Sequence, residues 1–368
     1  MFTVLLIMTA VLATDSTFVA EERWSIPPDF QVSAEREWTF YSFWSVNREG
    51  TKAAFIDLAR HEVCVMDLRD EVVKSVARHT SQATHVSFSE TAELEAYVPS
   101  QNVDRIAAQG AYPGDVNLPS AVVWTGDGNL FVSDAGSRRV SVFDADEAFR
   151  FSFLLPPDMD TPWDCDLLGP DTLLLSCLVM SDPQDINAGF YCNVVDTTGK
   201  WLQAYAYTPD IAFSKRLWTG VSSSVETDEQ GNTFVVFSVD PTIYIFDRNG
   251  KLTGTIGDRP DWWVGPHEML RIKGDYDSPP EGHLTSWTRI VKLVRLADGR
   301  LIRVAEANGF VPGCTSRFVI DVFSREGQHL GDAIYSDYWP VGACDDGSVF
   351  LLSVDGSDLV RASCTVGR

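Results

Sequence analysis

Acidic side chains recur at one position of a repeated pattern, and their chemistry is the easiest to name. Each acid ends or closely follows a short apolar run, and the six are Asp57, Asp134, Asp182, Asp240, Glu306 and Asp355. Carboxylate oxygens gathered at one point would bind a divalent cation such as calcium. The alternative is local, because an Asp at a turn also accepts hydrogen bonds from nearby backbone amides. Both interpretations stay open from sequence alone.

Aromatic side chains are the second recurring feature. Tryptophans precede or open a predicted strand at Trp163, Trp218, Trp287 and Trp339. Their rings offer a stacking surface for a sugar, a peptide or an aromatic ligand, but they also fill space between packed sheets. These residues are therefore candidate ligand-binding residues, with packing between sheets as the alternative.

The connection over residues 257–287 is the most function-like, because about 30 residues is too long for a simple link. Its candidate ligand-binding residues are Trp262, Trp263, His267 and Glu268. His267 and Glu268 have the chemistry of an acid–base pair or of metal ligands. Adjacent residues on an extended chain point in opposite directions, however, so the two need not cooperate. Arg138, in another polar loop, completes the candidate set.

Signatures of common enzyme classes are missing from the chain. There is no GxSxG, no HExxH, no phosphate-binding loop and no dinucleotide-binding glycine pattern. Asp-x-Asp pairs such as Asp164 and Asp166 lack the remainder of a calcium-binding loop. The sequence therefore assigns no catalytic residue.

The elements that must position these residues are clearest in residues 112–144. A strand at Pro119–Trp124 meets a tight turn at Asp127 and Gly128, and further strands follow at Leu130–Ser133 and Val140–Phe143. Five other segments repeat this order of turn, apolar strand, acid, loop and strand. Several strands are apolar on both faces, which is expected where a sheet is packed between two neighbours.

This unit resembles the NHL repeat, which forms one blade of a β-propeller. The matching positions are Pro119, Asp127-Gly128, Val132, Asp134, Arg139-Val140 and Phe143. The resemblance departs at Ala145-Asp146-Glu147, where the family usually has an Asp-Gly type of turn. It implies an all-β, six-bladed propeller of four-stranded antiparallel blades around a channel, and it implies no activity. A degenerate seventh blade within residues 75–111 remains an alternative.

The blade topology predicts where a site would lie. Turns between the first and second strands, and between the third and fourth, are short and lie on one face. The other connections are long and meet on the opposite face, called here the long-loop face. Long loops gathered on one face are where function is usually carried.

The net charge narrows the classes of possible partner, and the N-terminal segment indicates the location of the protein. The formal charge of −23, from 52 acidic and 29 basic residues, disfavours nucleic acid. An apolar run over Phe2–Ala13 is too short to span a bilayer, and it suits a signal peptide although no Lys or Arg precedes it. Cleavage after Ala13 or after Ala20 fits the small residues there. The alternative is a buried first strand.

Seven cysteines add one further expectation, because export would permit disulfides. Cys165, Cys177 and Cys192 fall on successive strands of one blade, so either a local disulfide or burial as small apolar residues is expected. The spacing matches no zinc site.

Taken together, the sequence predicts a signal peptide over residues 1–20 and a single propeller domain over residues 21–368. The expected protein is periplasmic or secreted, without a membrane span, and monomeric. It would bind a small molecule, a glycan or a protein through its long-loop face. The alternative is a metal-dependent hydrolase, lactonase or lyase that uses acids at the channel mouth. Some six-bladed propellers hold one divalent ion there, so the only implied cofactor is a cation such as calcium.

Overall fold

In the computed structural model, the described residues form 24 strands in six four-stranded antiparallel sheets, as the sequence predicts. The structure describes residues 16–28, 43–57, 60–78, 115–156, 159, 161–178, 190–207, 222–265, 288–307 and 316–366. The first strand along the chain, β1 (Ser16–Ser25), belongs to the last blade.

Blades 1 to 3 follow one another along the chain, and each starts with its innermost strand. Blade 1 consists of β2 (Trp44–Val46), β3 (Lys52–Asp57), β4 (Glu62–Asp67) and β5 (Val72–Arg78). Blade 2 consists of β6 (Pro119–Trp124), β7 (Leu130–Asp134), β8 (Arg139–Phe143) and β9 (Phe149–Leu154). Blade 3 consists of β10 (Thr161–Gly169), β11 (Thr172–Leu178), β12 (Phe190–Asp196) and β13 (Trp201–Tyr207).

Blades 4 to 6 repeat this order. Blade 4 consists of β14 (Ser223–Thr227), β15 (Thr233–Phe237), β16 (Asp240–Phe246) and β17 (Leu252–Ile256). Blade 5 consists of β18 (Arg289–Arg295), β19 (Leu301–Glu306), β20 (Phe318–Phe323) and β21 (Ile334–Ser336). Blade 6 consists of β22 (Tyr338–Ala343), β23 (Ser348–Ser353), β24 (Asp358–Val366) and, outermost, β1.

The innermost strands contact one another in a closed ring, in the order β2, β6, β10, β14, β18, β22 and back to β2. Direct contact between β2 and β6 leaves no place for a blade between blades 1 and 2, where a seventh would have to stand. The prediction of six blades is therefore confirmed, although residues 79–114 themselves lie outside the described part of the chain.

Blade 2 shows why the strands form where the sequence predicts them. Strand β6 has the predicted bounds, and β7 and β8 each differ from the prediction by one residue. Every residue of β6 and β7 is buried, because the blade is packed between blades on both sides. An apolar run on both faces of a strand is the sequence signature of that environment.

The ring is closed by its two ends, which the sequence does not reveal locally. Strand β1 pairs antiparallel with β24, from Ser16 opposite Val366 to Ser25 opposite Asp358. The indole of Trp24 stacks on Phe350 with ring centroids 5.7 Å apart and donates a hydrogen bond of 2.8 Å to the Leu68 carbonyl. The first strand thereby joins blade 6 to blade 1.

The departure from the NHL-like turn at Glu147 has a structural cause. Its φ of 63° lies in the left-handed region, which Gly199, with a φ of 82°, occupies in the corresponding turn of blade 3. The buried Glu147 carboxylate lies 2.6 Å from Lys52 Nζ and also contacts Lys74 of blade 1. A glycine would avoid the backbone cost but would remove this ionic link between blades 1 and 2.

The six cysteines within the described residues are all buried and none forms a disulfide, so the apolar interpretation holds for them. Cys192 packs in the core between blades 3 and 4, whereas Cys165 and Cys177 pack in the core between blades 2 and 3. Cys177 and Cys192 are thus on opposite faces of their sheet and cannot be bridged there. Cys314 lies outside the described residues.

Candidate functional site

The charged residues least expected in a propeller interior lie on three neighbouring innermost strands. They are Asp164 and Asp166 of β10, Glu226 of β14 and Lys292 of β18, and are called here the channel cluster. Up to 128 residues separate its members in the sequence. The ring of innermost strands is what brings them together.

Asp164 is the hub of the cluster. It is 2% exposed, and its Oδ2 accepts a hydrogen bond of 2.7 Å from Ser224 Oγ. Lys292 Nζ lies 3.3 Å from each of its carboxylate oxygens, and the Cys165 amide donates to Oδ1 over 3.0 Å. A buried carboxylate with donors from β10, β14 and β18 joins the innermost strands of three blades.

Ser224 shows which side of β14 faces the channel. Its hydroxyl donates to Asp164 of blade 3 and accepts a hydrogen bond of 3.1 Å from the Leu293 amide of blade 5. Val225, the next residue, packs in the core between blades 3 and 4. Because side chains alternate along a strand, Glu226 lies on the same side of β14 as Ser224. This is the side that reaches the innermost strands of both neighbouring blades.

Asp166 is held by backbone amides. Its Oδ1 accepts a hydrogen bond of 2.8 Å from Leu167, and its Oδ2 accepts one of 2.6 Å from Thr227. Burial raises the pKa of the Asp166 carboxyl, and these hydrogen bonds only partly oppose that rise. The carboxylates of β10 thus fix the register of β10 against β14.

Glu226 differs from both aspartates because its carboxyl accepts no hydrogen bond from any described residue. The residue is partly exposed, so water can supply the hydrogen-bond donors that the described residues do not. Burial, and next the charge of Asp166, raise the pKa of Glu226 well above its ordinary value, against the smaller opposing effects of Lys292 and Arg295.

Lys292 supplies the single cation of the cluster. Burial disfavours its charge, but the carboxylates of Asp164 and Glu226 outweigh that effect and raise its pKa. Arg295, on the same strand, is engaged elsewhere by a bidentate ion pair with Glu229, at 3.1 and 2.9 Å. The channel cluster therefore holds three carboxyl groups against one ammonium group.

The sequence-predicted acids use their oxygens locally. Asp134 accepts hydrogen bonds from the amides of Asn117 and Leu118, at 2.7 and 2.8 Å, and from those of Gly136 and Ser137. This is the turn-capping arrangement that the sequence left as the alternative.

The remaining described acids are also engaged. Asp57 accepts from the Arg60 amide, Asp240 from the Thr242 amide and the Tyr244 hydroxyl, and Asp355 from Ser353 and Ser357. Glu306 is buried between Arg289 and Arg317, at 2.6 and 2.8 Å. Within the described ranges, no three His, Cys, Asp or Glu side chains are grouped so as to hold a metal ion. Asp182 lies outside them, so the metal site stays a prediction.

The predicted aromatic residues differ in how far their side chains are buried. Trp339 is 2% exposed and packs against Phe318, and Trp263 is 6% exposed in the core between blades 4 and 5. Both pack between blades, which was the stated alternative for Trp339 but was not foreseen for Trp263. Trp163 and Trp262 are partly exposed, and the Trp262 ring also lies 5.8 Å from the Arg303 guanidinium.

The other candidate ligand-binding residues are either tethered or not described. Arg138 donates hydrogen bonds of 2.6 and 2.7 Å to the carbonyls of Pro156 and Met159, so it holds the connection that leads into blade 3. Four candidates lie outside the described residues, namely Trp218, His267, Glu268 and Trp287. Their role as ligand-binding residues stays a prediction.

Comparisons with known proteins show a fold and no family. No protein-family model and no curated protein matches the chain. A Bacteroides fragilis protein to which export has been assigned is 12% identical, with a TM-score of 0.57 over 98% of each chain. At that identity the likeness shows the β-propeller fold alone.

Two further solved structures are similar in outline. Staphylococcus aureus virginiamycin B lyase with quinupristin is 10% identical, with a TM-score of 0.48 over 87% of this chain and 79% of that one. A protein assigned as a gluconolactonase is 11% identical, with a TM-score of 0.48 over 94% of this chain and 99% of that one.

Within the described residues, no helix has the length and apolar character that crossing a membrane requires.

Sequence reasoning missed Glu226 and Lys292, and it treated Asp164 and Asp166 only as a weak calcium motif. A usable signal was present, because a charge stands between apolar residues inside an innermost strand, as Lys292 does in the IVKLV segment of β18. An innermost strand has one edge on the channel, and a charge in its middle must either face that channel or be paired.

Proposed function

We propose that the protein is a binding module that holds a small organic ligand in its central channel, against the channel cluster. The observation that carries this proposal is the channel cluster itself, in which the buried Asp164 and Lys292 stand beside Asp166 and Glu226 on the innermost strands of three blades. A few polar groups that converge at one place are what orients a small ligand in a pocket.

Entry to the site would be from the long-loop face. Every blade is a simple antiparallel meander. The connections between the second and third strands of a blade, and those between successive blades, therefore begin and end on that face. The short turns occupy the other face. Trp163, partly exposed at the start of β10 and one residue from Asp164, is the aromatic residue best placed along that route.

The protein is further proposed to be exported, periplasmic or secreted, with NHL-like blades. The apolar run near the N-terminus supports export, and a structural neighbour to which export has been assigned is compatible with it. The strand pattern of blade 2 supports the NHL-like assignment.

The test is a thermal-melting screen of purified protein with small polar metabolites, since a ligand that binds only the native state raises the melting temperature. Each stabilising compound is then measured against Glu226→Gln and against Glu326→Gln, an exposed turn residue with the same change of charge. We expect affinity to fall at least tenfold in the first variant and to stay unchanged in the second. A screen without a channel-dependent ligand would overturn the binding proposal.

The metal-dependent hydrolase, lactonase or lyase remains the second candidate, and it depends on the acids at the long-loop face. Its test is melting in EDTA and then in Ca²⁺, Mg²⁺ or Zn²⁺. An ion-specific rise that EDTA reverses, and that Asp182→Asn abolishes, would support a metal centre completed by that residue. Equal melting in all four conditions would remove this candidate.

A further inference from the structure

We infer that the long-loop face carries a binding site for an oxyanion, a carboxylate or a phosphate group, built on Arg289. This site goes beyond the proposed function, because it lies at the rim of the channel and not in the channel cluster. It stands whether or not the channel itself holds a ligand. The evidence for it is the set of hydrogen-bond donors that the Arg289 guanidinium leaves unused.

Arg289 lies where two arginines meet one carboxylate. It is the first residue of β18, the innermost strand of blade 5, and β18 leads through a short turn into β19. Its position is therefore at the opposite end of the strand from that turn, on the long-loop face. Glu306, the last residue of β19, is directly opposite Arg289 in the register of the two strands. Arg317, just before β20, reaches the same carboxylate from the other side.

The two arginines use Glu306 unequally. Arg317 donates from Nε to Oε1 over 3.0 Å, and its Nη2 lies 2.8 Å from the same oxygen. Arg289 donates from Nη2 alone, to Oε2 over 2.6 Å. Each oxygen of the buried carboxylate thus has a donor, while most of the N–H groups of the Arg289 guanidinium are left over.

The Nε atom of Arg289 is the observation that points to a ligand. It is buried and has no hydrogen-bond partner. An unsatisfied buried donor is costly, and a guanidinium stays charged at every ordinary pH. The need to hold Glu306 does not explain this cost, because Arg317 already supplies two donors to that carboxylate. The Arg289 side chain is 20% exposed, so its guanidinium is open to a ligand from the solvent.

An oxyanion is the ligand that fits these donors. A guanidinium presents its N–H groups in a planar fork, and a carboxylate or a phosphate accepts two of them in parallel. A cation would be repelled by the two arginines. Asp337, the next acid at this end of the blade, accepts a hydrogen bond of 3.1 Å from the Arg317 amide and none from Arg289. In a chain with a formal charge of −23, such a pair of arginines is a local point of attraction for an anion.

The experiment uses the full chain and three probes, namely acetate, inorganic phosphate and acetamide, the neutral analogue of acetate. Sodium chloride keeps the ionic strength constant, and the melting temperature gives the stabilisation by each probe. Arg289→Gln is the test variant, and its amide can still donate a hydrogen bond to Glu306. Arg248→Gln is the matched control, because Arg248 is an exposed turn residue on the other face and the change of charge is the same.

We expect acetate or phosphate, but not acetamide, to raise the melting temperature of the wild type and of Arg248→Gln. Affinity for that anion should fall at least about tenfold in Arg289→Gln, because a hydrogen bond to a charged group is lost. The anion with the larger effect identifies the source of the oxyanion as an organic acid or a phosphate compound.

Equal stabilisation of the wild type and Arg289→Gln would overturn the inference, because the anion would then bind elsewhere. Failure of both anions to stabilise the wild type would overturn it as well. If Arg289→Gln does not fold, Arg289→Lys decides, because lysine keeps the charge but lacks the planar fork. Undiminished binding of the anion by Arg289→Lys would then count against the site.

Discussion

Lys292 Nζ lies 3.3 Å from each carboxylate oxygen of Asp164, so the innermost strand of blade 5 is bonded to that of blade 3 over the strand between them. Both residues are buried. Removal of one partner from a buried pair usually costs about 3–5 kcal/mol, because the other charge is left without compensation.

The first prediction concerns this pair. We expect Asp164→Asn to destabilise the protein by about 3 kcal/mol and Lys292→Met by less, because Asp164 keeps donors from Ser224 and Cys165 when the lysine is absent. Urea unfolding of both single variants and of the double variant gives the coupling free energy. A double variant whose loss equals the sum of the two single losses would show that the pair is not energetically linked.

The second prediction concerns pH. A carboxyl whose pKa is raised in the folded state lowers stability as pH rises above its unfolded value of about 4.3, because ionisation then favours the unfolded chain. Glu226→Gln removes that effect. We expect the variant and the wild type to be equally stable near pH 4, and the variant to be the more stable at pH 8. Urea unfolding at both pH values checks this, and a variant that is less stable at pH 8 would contradict it.

The third prediction separates backbone strain from ion pairing at Glu147. Glu147→Gln loses the charge interaction with Lys52 and Lys74 but keeps the left-handed backbone cost. Glu147→Gly loses the same charge interaction and gains about 1 kcal/mol from the relaxed backbone. We expect both variants to be less stable than the wild type, with the glycine variant the milder. The reverse order in chemical unfolding would mean that packing of the side chain outweighs the backbone term.

The fourth prediction concerns the N-terminal strand and any leader peptide. Residues Ser16 to Ala20 pair with β24, so cleavage after Ala20 would remove half of the strand that closes blade 6. We expect a chain that starts at Asp15 to melt like the parent and one that starts at Glu21 to melt at a lower temperature. If the protein is exported, N-terminal sequencing of the mature form should locate cleavage before Ser16. A mature protein that starts at Glu21 with undiminished stability would show that the outer half of β1 is dispensable.

The fold was predictable where its rules are local. The strands of blade 2 follow from apolar runs bounded by turn residues, and the short turns follow from Gly128 and its equivalents, whose positive φ few other residues adopt at low cost. Closure by β1 was not predictable, because Thr17 and Thr365 meet across 348 residues and no local pattern encodes that pairing.

The sequence indicated the chemistry of the candidate site but not its position in the fold. The recurring acids drew attention to carboxylates, yet Asp134 and Asp355 proved to cap turns. Glu226 is not one of the recurring acids, and it is brought near Asp166 and Lys292 only when three blades bring their inner edges together. A residue that recurs in every blade serves a structural role that all blades share. A site in the channel depends instead on residues that differ from blade to blade.

The pairing of the two chain ends also sets an order of events during synthesis. Strand β1 is made before its partner β24, and the paired residue follows 348 residues later, about 17–70 s at ordinary rates of elongation. During that interval the edge of β1 has no native neighbour, and the ring of blades cannot close. Closure of the propeller therefore depends on the contact that is most distant along the chain, and contacts of that kind slow folding.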